Sequence, residues 1–190
     1  MSEDQLHNLT PAQRERVEYF CSDAWVALDG PGGHEDELQT RRNFADFLKS
    51  IESAEELHCC VDGFHWDTGP ETLEAFFDHS LLDRGTLLMM YWRAAPGYYM
   101  KYQKPSRARQ LFGADPLLNL PEDERPLFRF IQKVERLLLK RRDTPAKIAY
   151  DPANDRGEDL TKRYGSEMRK HAKNPASRLY TIPEILFQIT

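Results

Sequence analysis

The side chains best suited to chemistry lie in one short segment, His65-Trp66-Asp67-Thr68-Gly69. A histidine and a carboxylate so close together are the kind of pair that general acid–base catalysis or a metal site uses. The same residues also suit a structural role. In that role Trp66 fills the core, and Asp67 accepts hydrogen bonds from the free N–H groups of a helix that begins at Pro70. We favour the structural role, because no further catalytic motif accompanies the pair.

The candidate metal ligands near this loop are His58, Cys59, Cys60, His65, Asp67 and His79. Their spacing matches neither a Cys-x2-Cys pair nor the His-Glu-x2-His pattern of a zinc-binding helix. The chain has three cysteines, an odd number, and two of them are adjacent, which is typical of free thiols in a reducing compartment. We therefore expect no metal, no cofactor and no enzymatic activity.

Two predicted helices follow the loop and position it. The first begins at Pro70, where the missing N–H of proline costs nothing, and places Leu73, Phe76 and Phe77 on one face. The second begins at Asp83, and its run from Leu87 to Trp92 is apolar all round, which is typical of a helix buried in a core. That run is too short to span a membrane.

These residues also carry a family resemblance. The loop His65-Trp66-Asp67-x-Gly69, followed by Asp83-x-Gly85-Thr86-x-Leu88 and Tyr91-Trp92, resembles the bacterial domain-of-unknown-function family numbered 4274. Members of that family typically carry Asn-Trp-Asp-Asp-Gly and then Asp-x-Gly-Thr-Ala-Leu, so here His65 replaces the Asn and Thr68 the second Asp. The resemblance covers residues 55–102 and implies no catalytic residues. It implies a relationship to immunity proteins encoded beside bacterial toxins.

Length and composition predict a single domain over residues 1–190, with 40% apolar and 30% charged residues. The periodicity predicts a mainly α fold, a bundle of about six to eight helices with one or two short strands. The N-terminal residues, Met1 to Gln5, lack the features of a secretion signal, so we expect a cytoplasmic protein. Beyond the two helices above, the predicted helices are Pro11 to about Asp29, about Glu35 to Ser50, Ala54 to about Gly63, Pro121 to Arg142, and Leu160 to Lys173.

Charge is divided unevenly along the chain. Residues 1–83 contain 19 acids and 5 bases, a net charge of −14, whereas residues 84–190 have a net charge of +9. Either the two parts of one fold attract each other, or one face is an electrostatic landing site for a partner. The candidate partner-binding residues are Glu35, Asp36, Glu37, Glu55, Glu56 and Asp62.

These observations favour an immunity protein that binds and neutralises a cognate bacterial toxin, such as a nuclease, by protein–protein interaction. The alternatives are a small hydrolase-like enzyme that uses His65 and Asp67, and a structural adaptor. We expect no membrane partner. Tyrosines and lysines alternate around residues 98–104, as they do in proteins that bind single-stranded nucleic acid, but the acidic net charge argues against such a ligand.

Overall fold

The computed structural model describes residues 8–29, 34–66, 69–99 and 121–165, and these are mainly α-helical, as predicted. The chain divides into two compact units. Unit 1 comprises Met1–Thr68 and Thr72–Asp83, and unit 2 comprises Gly69–Glu71 and Arg84–Thr190. The boundary at Asp83 is also the point at which the sequence changes from acidic to basic. A single domain over residues 1–190 stays a prediction.

The α-helices, in chain order, are α1 Pro11–Cys21, α2 Glu37–Ser50, α3 Ala54–Gly63, α4 Glu71–Glu74, α5 Arg84–Arg93, α6 Pro96–Tyr99, α7 Arg125–Lys140 and α8 Leu160–Arg163. Turns of 3-10 helix cover Ala75–Asp78, Glu122–Glu124 and Pro152–Asn154. Two short strands, β1 Leu28–Asp29 and β2 His34–Glu35, pair antiparallel.

Helix α1 begins as predicted but ends early. Thr10 and Gln13 form the expected capping box, in which each side chain accepts the other's backbone N–H. The helix ends at Cys21 and not near Asp29, because Asp23 adopts a left-handed conformation with φ 55°. The chain then turns into β1. The sequence-based prediction missed this end because the apolar spacing continues past Cys21.

Helices α1 and α3 run parallel and side by side. Gln13 donates to Ser53 and Arg16 donates to Glu56, so both contacts join residues 40 apart in sequence. A constant offset of this kind means that the two helices advance in the same direction. The Glu56 carboxylate is fully buried, and it also accepts the Glu52 backbone N–H at 2.9 Å. Its hydrogen bonds raise the pKa of the Arg16 guanidinium.

Aromatic rings fill the space between α1 and α2 in unit 1. The Phe20 ring stacks on Phe47 with 5.2 Å between centroids and meets Phe76 edge-on at 5.5 Å. Phe44 also contacts this group, stacking on Phe20 at 6.3 Å. Phe20 and Phe76 are almost completely buried, so this cluster is the apolar centre of unit 1.

Helix α5 is the core of unit 2, and every residue from Gly85 to Trp92 is buried, as the all-round apolar run predicted. It packs against α7. A buried ion pair lies at its C-terminal end, where Arg93 donates two hydrogen bonds to Asp155, at 2.6 and 2.7 Å. Tyr150 donates a third at 3.2 Å. This network ties the segment after α7 to α5.

The remaining helices follow α5. The segment after Trp92 forms helix α6 over Pro96–Tyr99. The long helix is correct in place, but its first turn is 3-10 and its α part ends at Lys140. Helix α8 covers Leu160–Arg163, and the rest of the predicted helix after residue 165 lies outside the described residues, as does the apolar segment 180–189.

The buried Arg16–Glu56 pair gives a stability prediction. We expect Glu56→Gln to lower the free energy of unfolding by about 2 kcal/mol, because it removes the buried counter-charge of Arg16 and leaves that guanidinium only the exposed carboxylate of Glu52. Glu55→Gln is the matched control. Glu55 is exposed in the same first turn of α3 and should change stability by less than about 0.5 kcal/mol. Urea unfolding of both variants measures the difference, and equal losses would contradict a special role for Glu56.

Candidate partner-binding surface

Three exposed acids lie where the β-hairpin meets α2. Glu35 is in β2, opposite Leu28 of β1, and Glu37 opens α2. Asp36 between them is the N-cap, and its carboxylate accepts the N–H groups of Leu38 at 3.1 Å and Gln39 at 3.0 Å. All three side chains are solvent-exposed, which a binding role requires. Their negative charge is favourable here because it faces the positive end of the helix dipole.

Two leucines beside these acids are exposed to an unusual degree. Leu28 is 66% exposed and Leu38 is 69% exposed, whereas the other large apolar residues of the described chain lie in or near the core. We call Leu28, Glu35, Asp36, Glu37 and Leu38 the hairpin surface. Glu37 makes one ion pair on it, with Arg41 at 3.4 Å, and both side chains of that pair are about three-quarters exposed. Such a pair contributes little to folding, so Glu37 is available to a partner.

The second predicted acidic set is not a surface. Glu55 is exposed, but Glu56 has 0% and Asp62 only 4% of its surface exposed. Glu56 forms the buried ion pair with Arg16 that is described above. Two of the three acids expected to meet a partner are therefore interior residues. The sequence pattern could not distinguish them, because all three follow the same capping serine on a short helix.

The loop that carries the family resemblance is only partly described. The His65 side chain is exposed, and Trp66 is half-buried with its ring edge-on to Phe64 at 5.9 Å. Asp67 and Thr68 lie outside the described residues, so the predicted cap stays a prediction. Gly69 has φ 97°, a left-handed conformation that explains why a glycine is needed here.

The residues in the second half of the family motif are buried. Asp83 has 8% and Thr86 0% of its surface exposed, and Gly85 is buried beside them at the start of α5. Residues this deeply placed at a helix start serve packing and hydrogen bonding. The structural role of the whole motif stays a prediction.

Among the described candidate metal ligands, His79 has both ring nitrogens in hydrogen bonds. His79 receives the Leu81 N–H on Nδ1 at 3.2 Å, and its Nε2 donates to the Leu48 carbonyl at 3.0 Å. His58 is buried, whereas His65 is exposed. Within the described ranges, no three His, Cys, Asp or Glu side chains are arranged to hold a metal ion. No helix in that part of the chain is both long and apolar enough to cross a bilayer.

The sequence analysis missed a buried carboxyl in unit 2. Glu135 lies on α7 with 5% of its surface exposed, and burial raises its pKa to about 8. Tyr91 of α5 is fully buried, and its hydroxyl has no hydrogen-bond partner among the described residues. Burial is the main cause that raises the pKa of Tyr91, and the nearby Glu135 carboxyl raises it further. The sequence spacing could have predicted this burial, because Glu135 lies four residues after Ile131 and three before Leu138, on the apolar face of α7.

The fold and the surface together define a mainly α protein whose acidic unit exposes two leucines among carboxylates. Residues 52–139 match the family model described as Domain of unknown function (DUF4274), the family that the sequence motif resembles. The match begins at the turn before α3 and ends within the last turn of α7, so the hairpin surface precedes it. No curated protein and no solved structure matches the chain.

The buried Glu135 predicts a pH dependence of stability. The pKa of an unfolded glutamate is near 4.5, and the folded value is about 8, so between these the unfolded state releases a proton that the folded state keeps. The contribution of Glu135 to stability is therefore fully present below pH 4.5 and is lost as the pH rises to 8. The slope approaches about 1.4 kcal/mol per pH unit within this window.

Glu135→Gln removes the titration and keeps the shape. We expect this variant to be more stable than the wild type at pH 8 and similar to it near pH 4.5, as measured by urea unfolding across the range. Glu122→Gln, an exposed acid ahead of α7, is the control and should keep the wild-type slope. An unchanged slope in Glu135→Gln would show that the carboxyl is already ionised in the folded protein.

Proposed function

We propose that the chain is a cytoplasmic immunity protein that binds a cognate bacterial toxin through the hairpin surface. The observation that carries this proposal is the exposure of Leu28 and Leu38 next to three exposed carboxylates. Interfaces between proteins combine apolar anchors that become buried with charged groups that stay near the rim. The hairpin surface has both components within eleven residues of sequence.

The charge of the surface indicates the chemistry of the partner. It lies within residues 1–83, whose net charge is −14, so the field around it attracts a cationic protein. A nuclease has a cationic cleft for the phosphates of its substrate. A group of carboxylates can occupy such a cleft in place of phosphate, which would block the substrate and give fast, salt-sensitive association.

The family supports the same proposal in a different way. The resemblance implies a relationship to immunity proteins, and the matched domain spans residues 52–139. The hairpin surface lies before this domain, on β1, β2 and the start of α2. We infer that the family domain supplies the scaffold and that the preceding residues recognise the particular toxin.

The test needs variants that remove charge without harming the fold. Asp36 caps α2, so it is changed to Asn, which keeps an oxygen acceptor, while Glu35 and Glu37 are changed to Lys. The control is Glu122→Lys with Asp123→Lys, a pair of exposed acids in unit 2. A tagged wild-type chain first recovers its partner from host extract, and mass spectrometry identifies it.

We expect the hairpin variant to associate with that purified partner about tenfold more slowly at low salt and with a weaker dependence on salt concentration. Leu28→Ser with Leu38→Ser should instead speed dissociation, because apolar anchors act after encounter. The control should bind as the wild type does. Co-expression with the toxin should rescue growth for the wild type and the control only. Wild-type binding and rescue by both hairpin variants would overturn the proposal.

A further inference from the structure

The three cysteines of the chain gather at the same end of the α1–α3 pair. Cys21 is the last residue of α1 and is half-buried, whereas Cys59 and Cys60 are buried in α3. The Cys21 thiol donates a hydrogen bond to the Cys60 carbonyl oxygen, with 3.8 Å between sulfur and oxygen. A sulfur that reaches the partner helix in this way is a candidate for covalent chemistry with it.

The register of the two helices identifies which cysteine Cys21 faces. Gln13 contacts Ser53 and Arg16 contacts Glu56, both at an offset of 40, and the Cys21 contact to Cys60 continues the series at 39. These contacts follow one line along both helices. Cys60 is therefore the residue opposite the end of α1, and the contacts at Ser53 and Glu56 hold it there.

A glycine provides the space for the Cys21 sulfur. Gly63 lies one turn after Cys60, and a Cβ at this position would collide with Cys21 Sγ. Side chains three apart on a helix share a face, so the sulfur rests on the face of α3 that also carries Cys60. The absence of a side chain at Gly63 lets α1 and α3 approach closely, as a disulfide requires.

We propose that Cys21 and Cys60 are a thiol pair that peroxide converts into an intramolecular disulfide linking α1 to α3. The half-buried Cys21 is the residue that the oxidant reaches. Burial raises the pKa of Cys59 to about 11 and that of Cys60 well above its usual range, so both stay protonated and react only with a group already beside them.

The two steps balance with hydrogen peroxide as the oxidant. The Cys21 thiolate attacks one peroxide oxygen, the O–O bond breaks, and Cys21 sulfenic acid and hydroxide form. The Cys60 sulfur then attacks the Cys21 sulfur, the S–O bond breaks, and the thiol proton of Cys60 leaves with the hydroxyl as water. The two sulfurs are oxidised, and one peroxide is reduced to hydroxide and water. A thiol reductant reverses the product.

The experiment treats the purified full-length chain with excess hydrogen peroxide, blocks the remaining thiols, and maps peptides by mass spectrometry without reduction. We expect a peptide that joins Cys21 to Cys60, with Cys59 recovered as a blocked thiol. The melting temperature should rise by several degrees and return after reduction, because the bond constrains the unfolded chain. This result does not depend on any toxin.

Variants separate the pair from its neighbour. Cys59→Ser should still form the bond, whereas Cys21→Ser and Cys60→Ala should form none. The wild-type peptide map decides the question even if the buried Cys60 variant fails to fold. A bond from Cys59 to either other cysteine, a bond between two chains, or sulfinic acid at Cys21 without a bond would overturn the proposal.

Discussion

The structure of unit 1 depends on a carboxylate that is taken completely out of water. Arg16 donates two hydrogen bonds to Glu56 there, and the Glu52 backbone donates another. An unpaired charge at this depth would cost several kcal/mol, so sliding α1 along α3 far enough to move Arg16 away from Glu56 would carry that cost. The pair therefore fixes the register of the two helices, and with it the positions of Phe20 and Cys21.

The same acidic composition serves three physical purposes in this chain. Asp36 accepts hydrogen bonds at the start of a helix, Glu56 neutralises a buried guanidinium, and Glu35 and Glu37 remain at the surface. Of these four, Glu35, Asp36 and Glu37 are exposed to solvent, whereas Glu56 is buried. The net charge of −14 over residues 1–83 therefore includes carboxylates that are buried in the fold as well as carboxylates that face solvent.

Unit 2 solves a different problem, because its central helix α5 has no polar face. It is covered on the α7 side by a stripe that includes one carboxyl, Glu135, whose proton is retained because water is excluded. A neutral carboxyl costs much less to bury than a charged one, which allows the stripe to stay continuous. In unit 1, by contrast, the buried Glu56 has an arginine beside it.

Local chemistry determined much of what the sequence predicted correctly. Thr10 and Ser53 cap helices because each side-chain oxygen accepts the backbone N–H of the residue three positions later. This contact is local, so it forms wherever the helix lies in the fold. The run from Leu87 to Trp92 had to be buried because no face of it is polar. The motif that ends in Tyr91-Trp92 likewise sufficed to indicate the family whose model matches residues 52–139.

The tertiary structure decided what depends on distant partners. Whether Glu55, Glu56 or Asp62 meets solvent depends on which of them the packed chain covers, and no local pattern contains that information. The early end of α1 and the exposure of Leu28 follow from the left-handed turn at Asp23 and the pairing of β1 with β2. The closeness of Cys21 to Cys60 follows from a helix register set by Arg16 and Glu56, which are forty residues apart in sequence. Burial and ion pairing are properties of the folded chain, because the packing of the helices decides which side chains contact water and which contact an opposite charge.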